Sequence, residues 1–270
     1  MCIRDRYIGG EDMKTYTIVC KQDQESITLS EKIKAQLNTF LIYNETNPDI
    51  VISVGGDGTM LYSVHKYIEQ LDKVAFIGIH TGTLGFLTDY QRDEYQQLVE
   101  DIKKGEYHIY ERHLLEVTSL EGRYLALNEV RVENNRRSQV IDVYINDDCF
   151  ETFRGNGLCV STASGSTAYN KSLGGAVINS GAELMQLSEI AGIHHNAYRS
   201  LGSSLILDKS HTIRFQSQSY QGAILGIDQL VVDLKDNDCI CIQMSTQTAR
   251  FLQYKNVPFT KRLKRAYLSS

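Results

Sequence analysis

The chain has 270 residues, 42% hydrophobic and 23% charged, which suits a soluble globular protein with one large domain or two modest ones. A formal net charge of -5 argues against general nucleic-acid binding, which needs a basic excess, and leaves room for small anionic ligands held at a local site. The six cysteines at 2, 20, 149, 159, 239 and 241 form no CxxC pair or zinc spacing, and no apolar run of about 18 residues or secretory pattern occurs, so free thiols in a reducing cytoplasm, away from membranes, are expected.

Residues 1–12, MCIRDRYIGGED, show no period or targeting pattern, so they are expected to be an extension ahead of a natural start at Met13. A strand at 14–20 follows, then a helical pattern at about 26–41 and the apolar strand DIVISV at 49–54. A helix opens at the glycine loop, followed by the strand VAFIGI at 74–79 and a helical pattern at about 92–104. Apolar strands alternating with helices indicate βαβ units, so 13–110 reads as an α/β domain with a Rossmann-like parallel sheet. Beyond about 110 the strands are short and alternating: HLLEVTSL, RYLALNEVRVEN, VIDVYIND, LCVST, SLILD, HTIRFQ, GAILGID and CICIQM. Residues 111–252 therefore read as a mostly β sandwich. The segment at about 253–270 looks helical after Pro258 and is expected to pack back on the first domain. Its Lys261, Arg262, Lys264 and Arg265 read as a solvated helix end that complements the dipole.

The stretch VISVGGDGT, 51–59, places an apolar strand before glycines that permit close backbone approach, and a helix N-terminus behind them can receive a diphosphate. Asp57 in its midst reads in two ways. It can cap the helix, or it can hold a sugar hydroxyl beside the phosphates and take its proton as the oxygen attacks a phosphoryl group. GGDGT is shared by kinases of nucleotides and of lipids, and alone does not choose between them.

In YLALNEVRV, 124–132, Asn128 and Glu129 interrupt an apolar strand. The bland reading is a strand leaving the core, while the functional one pairs an amide with purine edge atoms and a carboxylate with ribose hydroxyls. The stretch FRGNGLCVSTASGSTAYNKSLGGAVI, 153–178, runs a strand into a hydroxyl-rich loop that ends on an aromatic, which favours a polar pocket wall over a plain linker. The seven histidines show no HExxH or other metal spacing, the GxxxxGK[ST] loop is absent, and no GxSxG elbow supports hydrolysis.

The series GGDGT, HTGTLGFLTD at 80–89, LNE, STASGSTAYNKSLGGA and GID at 226–228 resembles the NAD kinase family, in family order over about 14–260, and looks most like its shorter Gram-positive members. The resemblance implies transfer of the terminal phosphoryl group of ATP, or of polyphosphate, to the adenosine ribose 2′-hydroxyl of NAD, with a divalent cation such as Mg²⁺. It implies Asp57 as proton acceptor, with Gly55, Gly56, Gly58 and Thr59 cradling the diphosphate and Asn128 and Glu129 holding the adenosine part. Ser164, Thr167, Ala168, Tyr169, Asn170, Lys171 and Ser172 are implied around that nucleotide, with Ala191, Ile193 and Tyr198 nearby. No protein metal ligand is assigned. A homotetramer is implied, in which Arg154 and Asn156 act across an interface. Asn156 stands where the family usually has aspartate, Ala163 where it has proline, and Gln229, kept with the binding set, where relatives can carry histidine; affinity and polyphosphate use are the properties these changes touch. Two alternatives remain open at this point, a lipid kinase sharing only the first motif and a sensor that binds NAD or NADP without turnover.

Overall fold

The computed structural model describes residues 13–82, 85–194 and 199–268. They form two compact units, one of residues up to Glu111 together with those from Ala249, the other Arg112–Thr248.

In the first unit, β1 (Thr15–Cys20), β2 (Ile42–Tyr43), β3 (Ile50–Val54), β4 (Ala75–His80) and β5 (Tyr90–Gln91) are all parallel. The order is β2-β1-β3-β4. All five residues of β3 are buried, which is why this strand reads as an unbroken apolar run. The helices are α1 (Gln24–Leu37), α2 (Asp57–Lys66) and α3 (Tyr95–Lys104). Asp23 caps α1 by accepting the Ser26 N–H at 2.8 Å. The helix stops at Leu37 rather than 41, because Phe40 and Leu41 serve the turn that delivers β2 alongside β1. A capping box of Gln91 and Glu94 introduces α3, and Gly105 at φ +67° ends it. The apolar faces of α1 and α3 meet the sheet in one core around Tyr16, Ile33, Ile52, Ile77, Tyr90 and Leu98.

The second unit is mostly antiparallel. Its strands are β6 (His108–Ser119, which starts in the first unit), β7 (Gly122–Ala126), β8 (Glu129–Glu133), β9 (Gln139–Ile145), β10 (Asp148–Thr162), β11 (Leu184–Gly192), β12 (Leu205–Asp208), β13 (Thr212–Gln216), β14 (Ile224–Ile227), β15 (Leu230–Asp233) and β16 (Cys239–Gln253). The 15-residue β10 pairs first with β9, then with β8 on that same edge, and with β11 on the other. A short helix α4 (Tyr169–Ser172) follows β10. The core gathers Val130, Val132, Phe153, Leu158, Phe215, Tyr220 and Ile240.

Four expectations change. The segment 123–134 is two strands, broken at Leu127–Asn128. The strands β11 and β15 are additional to those expected. In β11 the alternation is hidden because Gln186 and Ser188 are as buried as Met185 and Leu187. The helix expected from about 253 begins at Phe259, since β16 continues to Gln253 and its Arg250 and Phe251 pair in parallel with Ala75 and Phe76 of β4. This last helix, α5 (Phe259–Leu263), runs on as a π-helical turn, Lys264–Leu268. Among the described residues no helix is long and apolar enough to cross a membrane.

Candidate active site

β3 passes to α2 through two glycines. Gly55 has φ +155°, and a Cβ there would stand 2.3 Å from Thr59 Oγ1, so both backbone and space demand glycine. Gly56 occupies the N-cap without a side-chain bond, which makes Asp57 the first helical residue and removes its reading as the cap. The first turn of α2, through Gly58 and Thr59, aims its amides past the helix start, a setting that favours anions.

The Asp57 carboxylate turns to the loop after β4. Oδ2 accepts the Phe86 N–H at 2.7 Å and Oδ1 the Leu87 N–H at 3.0 Å. Two charge-assisted bonds fix its plane while leaving lone pairs on both oxygens. Gly85 makes this possible, since a Cβ there would lie 2.2 Å from Asp57 Oδ1.

His80, at the end of β4, lies against the same loop, with Nε2 placed 3.2 Å from where a Cβ on Gly56 would be. Burial pushes its pKa below the usual histidine range, against the opposing pull of the Asp57 charge. Its Nδ1 accepts the Gly82 N–H at 2.8 Å, so the ring proton of the neutral form sits on Nε2, a donor beside the glycines.

Arg262 is not part of a solvated helix end. It is 9% exposed, donates to the Thr88 carbonyl at 3.0 Å and forms an ion pair with Asp89. The pairing partners explain the burial, because a guanidinium fork tolerates it when both arms are satisfied.

In the second unit, Asp228 explains the broken strand. It sits at φ +50°, is 6% exposed, and its carboxylate accepts the N–H groups of Leu127, Asn128 and Glu129 at 2.7, 2.8 and 3.0 Å. The carboxylate thus takes up three successive amides where β7 ends and β8 begins. Asn128 and Glu129 are 8% and 7% exposed. Burial raises the Glu129 pKa to about 7, helped by the charge of Asp228 and opposed by Arg131. Its Oε2 is buried with no partner among the described residues, a costly state that a ligand hydroxyl would relieve.

The hydroxyl-rich loop closes on this pair. Thr162 accepts the Gly165 N–H at 2.9 Å and donates to the Leu127 carbonyl at 2.6 Å, and a Cβ on Gly165 would be 2.0 Å from the Asn128 carbonyl. Ser164 accepts from Arg112 at 3.0 Å, and Thr167 donates to the Ser164 carbonyl at 3.3 Å. Ala168 leads into α4, where the Tyr169 ring lies 5.2 Å from the Arg131 guanidinium. Asn170 is fully buried and accepts the Ser188 hydroxyl at 2.7 Å, so it braces the turn, while Lys171 and Ser172 face solvent.

The remaining expected residues lie elsewhere. Arg154 and Asn156 belong to the earlier part of β10, beside Ala191 (φ +47°) and the exposed Ile193, whose N–H meets the Arg154 carbonyl at 2.7 Å. From Arg154 to Ser161 the strand covers about 20 Å at the usual rise, so this group does not join Asn128 and Glu129 within one chain. The Asn156 side chain donates to the Asn134 carbonyl at 2.9 Å, a bond the family's usual aspartate could not make. Gln229 is exposed at the β14–β15 turn, and Tyr198 lies outside the described residues. The sequence assigns no site role to Gly85, His80, Arg262 or Asp228, although HTGTLGFLTD and GID stand in the series that marks the resemblance.

A parallel α/β unit bearing a glycine-flanked carboxylate, followed by an antiparallel unit with a paired amide and carboxylate, is the two-domain architecture of a kinase that acts on a nucleotide hydroxyl. The same fold is seen in the crystal structure of yeast NADH kinase complexed with NADH, at a TM-score of 0.83 and 18% identity over 96% of this chain and 89% of that one. It recurs in an NAD kinase from Archaeoglobus fulgidus solved in complex with ATP, at a TM-score of 0.72 and 25% identity over 93% and 95%. The ATP-NAD kinase N-terminal domain matches residues 11–107 and the C-terminal domain residues 127–254. NAD kinase 1 of Bacillus subtilis strain 168 is 44% identical over 260 residues, 94% of this chain and 98% of that protein. The Staphylococcus aureus JH9 NAD kinase is 41% identical over 263 residues, with the same coverage. The chain belongs to the ATP-NAD kinase family.

Proposed function

We propose that the chain transfers the terminal phosphoryl group of ATP to the 2′-hydroxyl of the adenosine ribose of NAD, giving NADP and ADP. The observation that carries this reading is the Asp57 carboxylate, held by two backbone amides at the head of α2 beside the glycine pair. Asp57 takes the hydroxyl proton as the ribose oxygen bonds to the γ-phosphorus and the bond from that phosphorus to the β-phosphate oxygen breaks. Gly55, Gly56, Gly58 and Thr59 receive diphosphate oxygens, and the His80 Nε2–H is a neutral donor at their side. In the second unit Asn128 reads the adenine edge and Glu129 accepts a ribose hydroxyl, with Ser164, Thr167, Ala168 and Tyr169 as the wall around them. The ATP complex of the Archaeoglobus fulgidus relative supports ATP as donor.

Among the described residues no three His, Cys, Asp or Glu side chains converge on a metal site. Mg²⁺ would be held through waters and the phosphate oxygens of ATP, and no protein ligand is assigned to it. Bound with ATP, the cation offsets negative charge on the transferring group. We further propose a cytoplasmic homotetramer. The separation of Arg154, Asn156, Ala191 and Ile193 from Asn128 supports a neighbouring subunit as their point of use.

The test incubates purified protein with NAD, ATP and Mg²⁺ and follows NADP through a coupled dehydrogenase. NADP formation that falls by about 10²-fold or more in Asp57→Asn is expected of a general base. Binding of NAD with no NADP formed would leave a sensor in its place, and full activity of Asp57→Asn would remove the proton-accepting role.

A further inference from the structure

The helical segment 259–268 grips, from two sides, the loop that holds Asp57. On one side Arg262 donates to the Thr88 carbonyl at 3.0 Å and pairs with Asp89. On the other, Phe259 and Tyr267 flank Phe86, with ring centroids 6.3 and 5.6 Å away. Between the two grips lie the Phe86 and Leu87 amides, bonded to Asp57 at 2.7 and 3.0 Å.

The seat has little slack. Thr88 is fully buried, and its methyl group lies 2.6 Å from where a Cβ on Gly78 would stand, so residue 88 is pressed onto β4. The Asp89 N–H also returns to the Gly78 carbonyl at 3.2 Å. With residues 88 and 89 fixed there, the height of the two preceding amides above α2 is set by backbone geometry. The carboxylate can only follow them.

We propose that Arg262 is a positioning residue for phosphoryl transfer: by fixing Thr88 and Asp89 it sets the two amides that orient the Asp57 carboxylate. It touches neither substrate nor reacting atoms. The proposal rests on the reading of Asp57 as proton acceptor. Its physical basis is that reacting groups displaced by about 1 Å can lose about 10²-fold in rate while distant binding contacts persist. The fork geometry matters as well as the charge, because a lysine ammonium cannot span a carbonyl and a carboxylate in one plane.

The experiment compares kcat, KM for NAD, KM for ATP and melting temperature in Arg262→Ala, Arg262→Lys, Tyr267→Leu and Asp57→Asn. The expected result is a kcat lowered about 10- to 100-fold in Arg262→Ala with both KM values within about two-fold of the parent, and a partial recovery in Arg262→Lys. Tyr267 is 41% exposed, so Tyr267→Leu keeps the fold and lowers kcat in the same direction by a smaller factor. A structural role alone would lower the melting temperature and leave the kcat of folded protein unchanged. Should Arg262→Ala fail to fold, the lysine and Tyr267 variants decide. Parent kcat in both of them, with Asp57→Asn inactive, overturns the positioning role and leaves the proton acceptor standing. Full activity in Asp57→Asn overturns the underlying reading instead.

Discussion

Gly85 approaches Asp57 so closely that a Cβ on the glycine would stand 2.2 Å from Oδ1, leaving no room for a methyl group between loop and carboxylate. Gly85→Ala must therefore move the loop or the acid. The glycine needs no left-handed backbone, so the fold is expected to survive and the effect to be confined to the site. A fall in kcat of about 10-fold or more with little change in either KM is expected from steady-state kinetics, and unaltered kcat would mean that the loop yields without disturbing Asp57.

Glu129 supplies a pH dependence. Its carboxyl is raised to about 7 when folded, above its ordinary value, so the folded state binds the proton more tightly than the unfolded one. Folding stability is therefore unaffected below the unfolded pKa and declines as pH rises toward 7, where the charge must be buried. Glu129→Gln should raise the melting temperature of the unliganded protein at pH 8 and leave it unchanged at pH 4, the difference corresponding to at most about 3 kcal/mol. Because a ribose hydroxyl stabilises the ionised form, NAD affinity should climb between pH 6 and 8 in the parent and stay flat in Glu129→Gln. Titration calorimetry at the two pH values checks this.

Asp228→Asn replaces a carboxylate that accepts three N–H groups with an amide that must turn a donor toward one of them. The clash and the lost bonds are expected to cost about 2–4 kcal/mol by thermal or urea unfolding. The KM for NAD should rise more than kcat falls, since Asp228 shapes Asn128 and Glu129 rather than Asp57. Equal losses in both would contradict that division.

Asn156→Asp restores the residue usual in the family. In this chain it removes the donor to the Asn134 carbonyl and places a negative charge beside a carbonyl oxygen. A loss of about 1–3 kcal/mol in unfolding free energy is expected, and a variant as stable as the parent would show that residues 134 and 156 rearrange freely.

The parts of the molecule legible in its sequence are those whose causes are local. β3 reads correctly because burial on both faces leaves an apolar run, and the α2 start reads correctly because the glycine pair and the helix are adjacent. The break at Leu127–Asn128 does not, because its cause, Asp228, lies 100 residues away along the chain from Asn128. Arg262 was hidden in the same way, as one of four basic residues whose carbonyl and carboxylate partners come from β4's far loop. In sequence Asp57 reads as a helix cap or as a proton acceptor, and its two amide partners at 86 and 87 have no side-chain signature at all. β11 shows the converse limit, since Gln186 and Ser188 are buried by bonding to Ala176 and Asn170, and a polar residue so satisfied looks exposed in sequence.

The path of β16 has a consequence for the order in which the protein is made. The strand begins in the second unit and ends against β4, so the first unit is interrupted by the whole of the second and completed only by residues from Ala249 onward. Chains emerge from the ribosome N-terminal part first. A nascent chain thus displays its glycine loop and Asp57 long before Arg262 exists to hold Thr88 and Asp89. Thr88 and Asp89 gain their Arg262 partner only after the whole of the second unit has been synthesised.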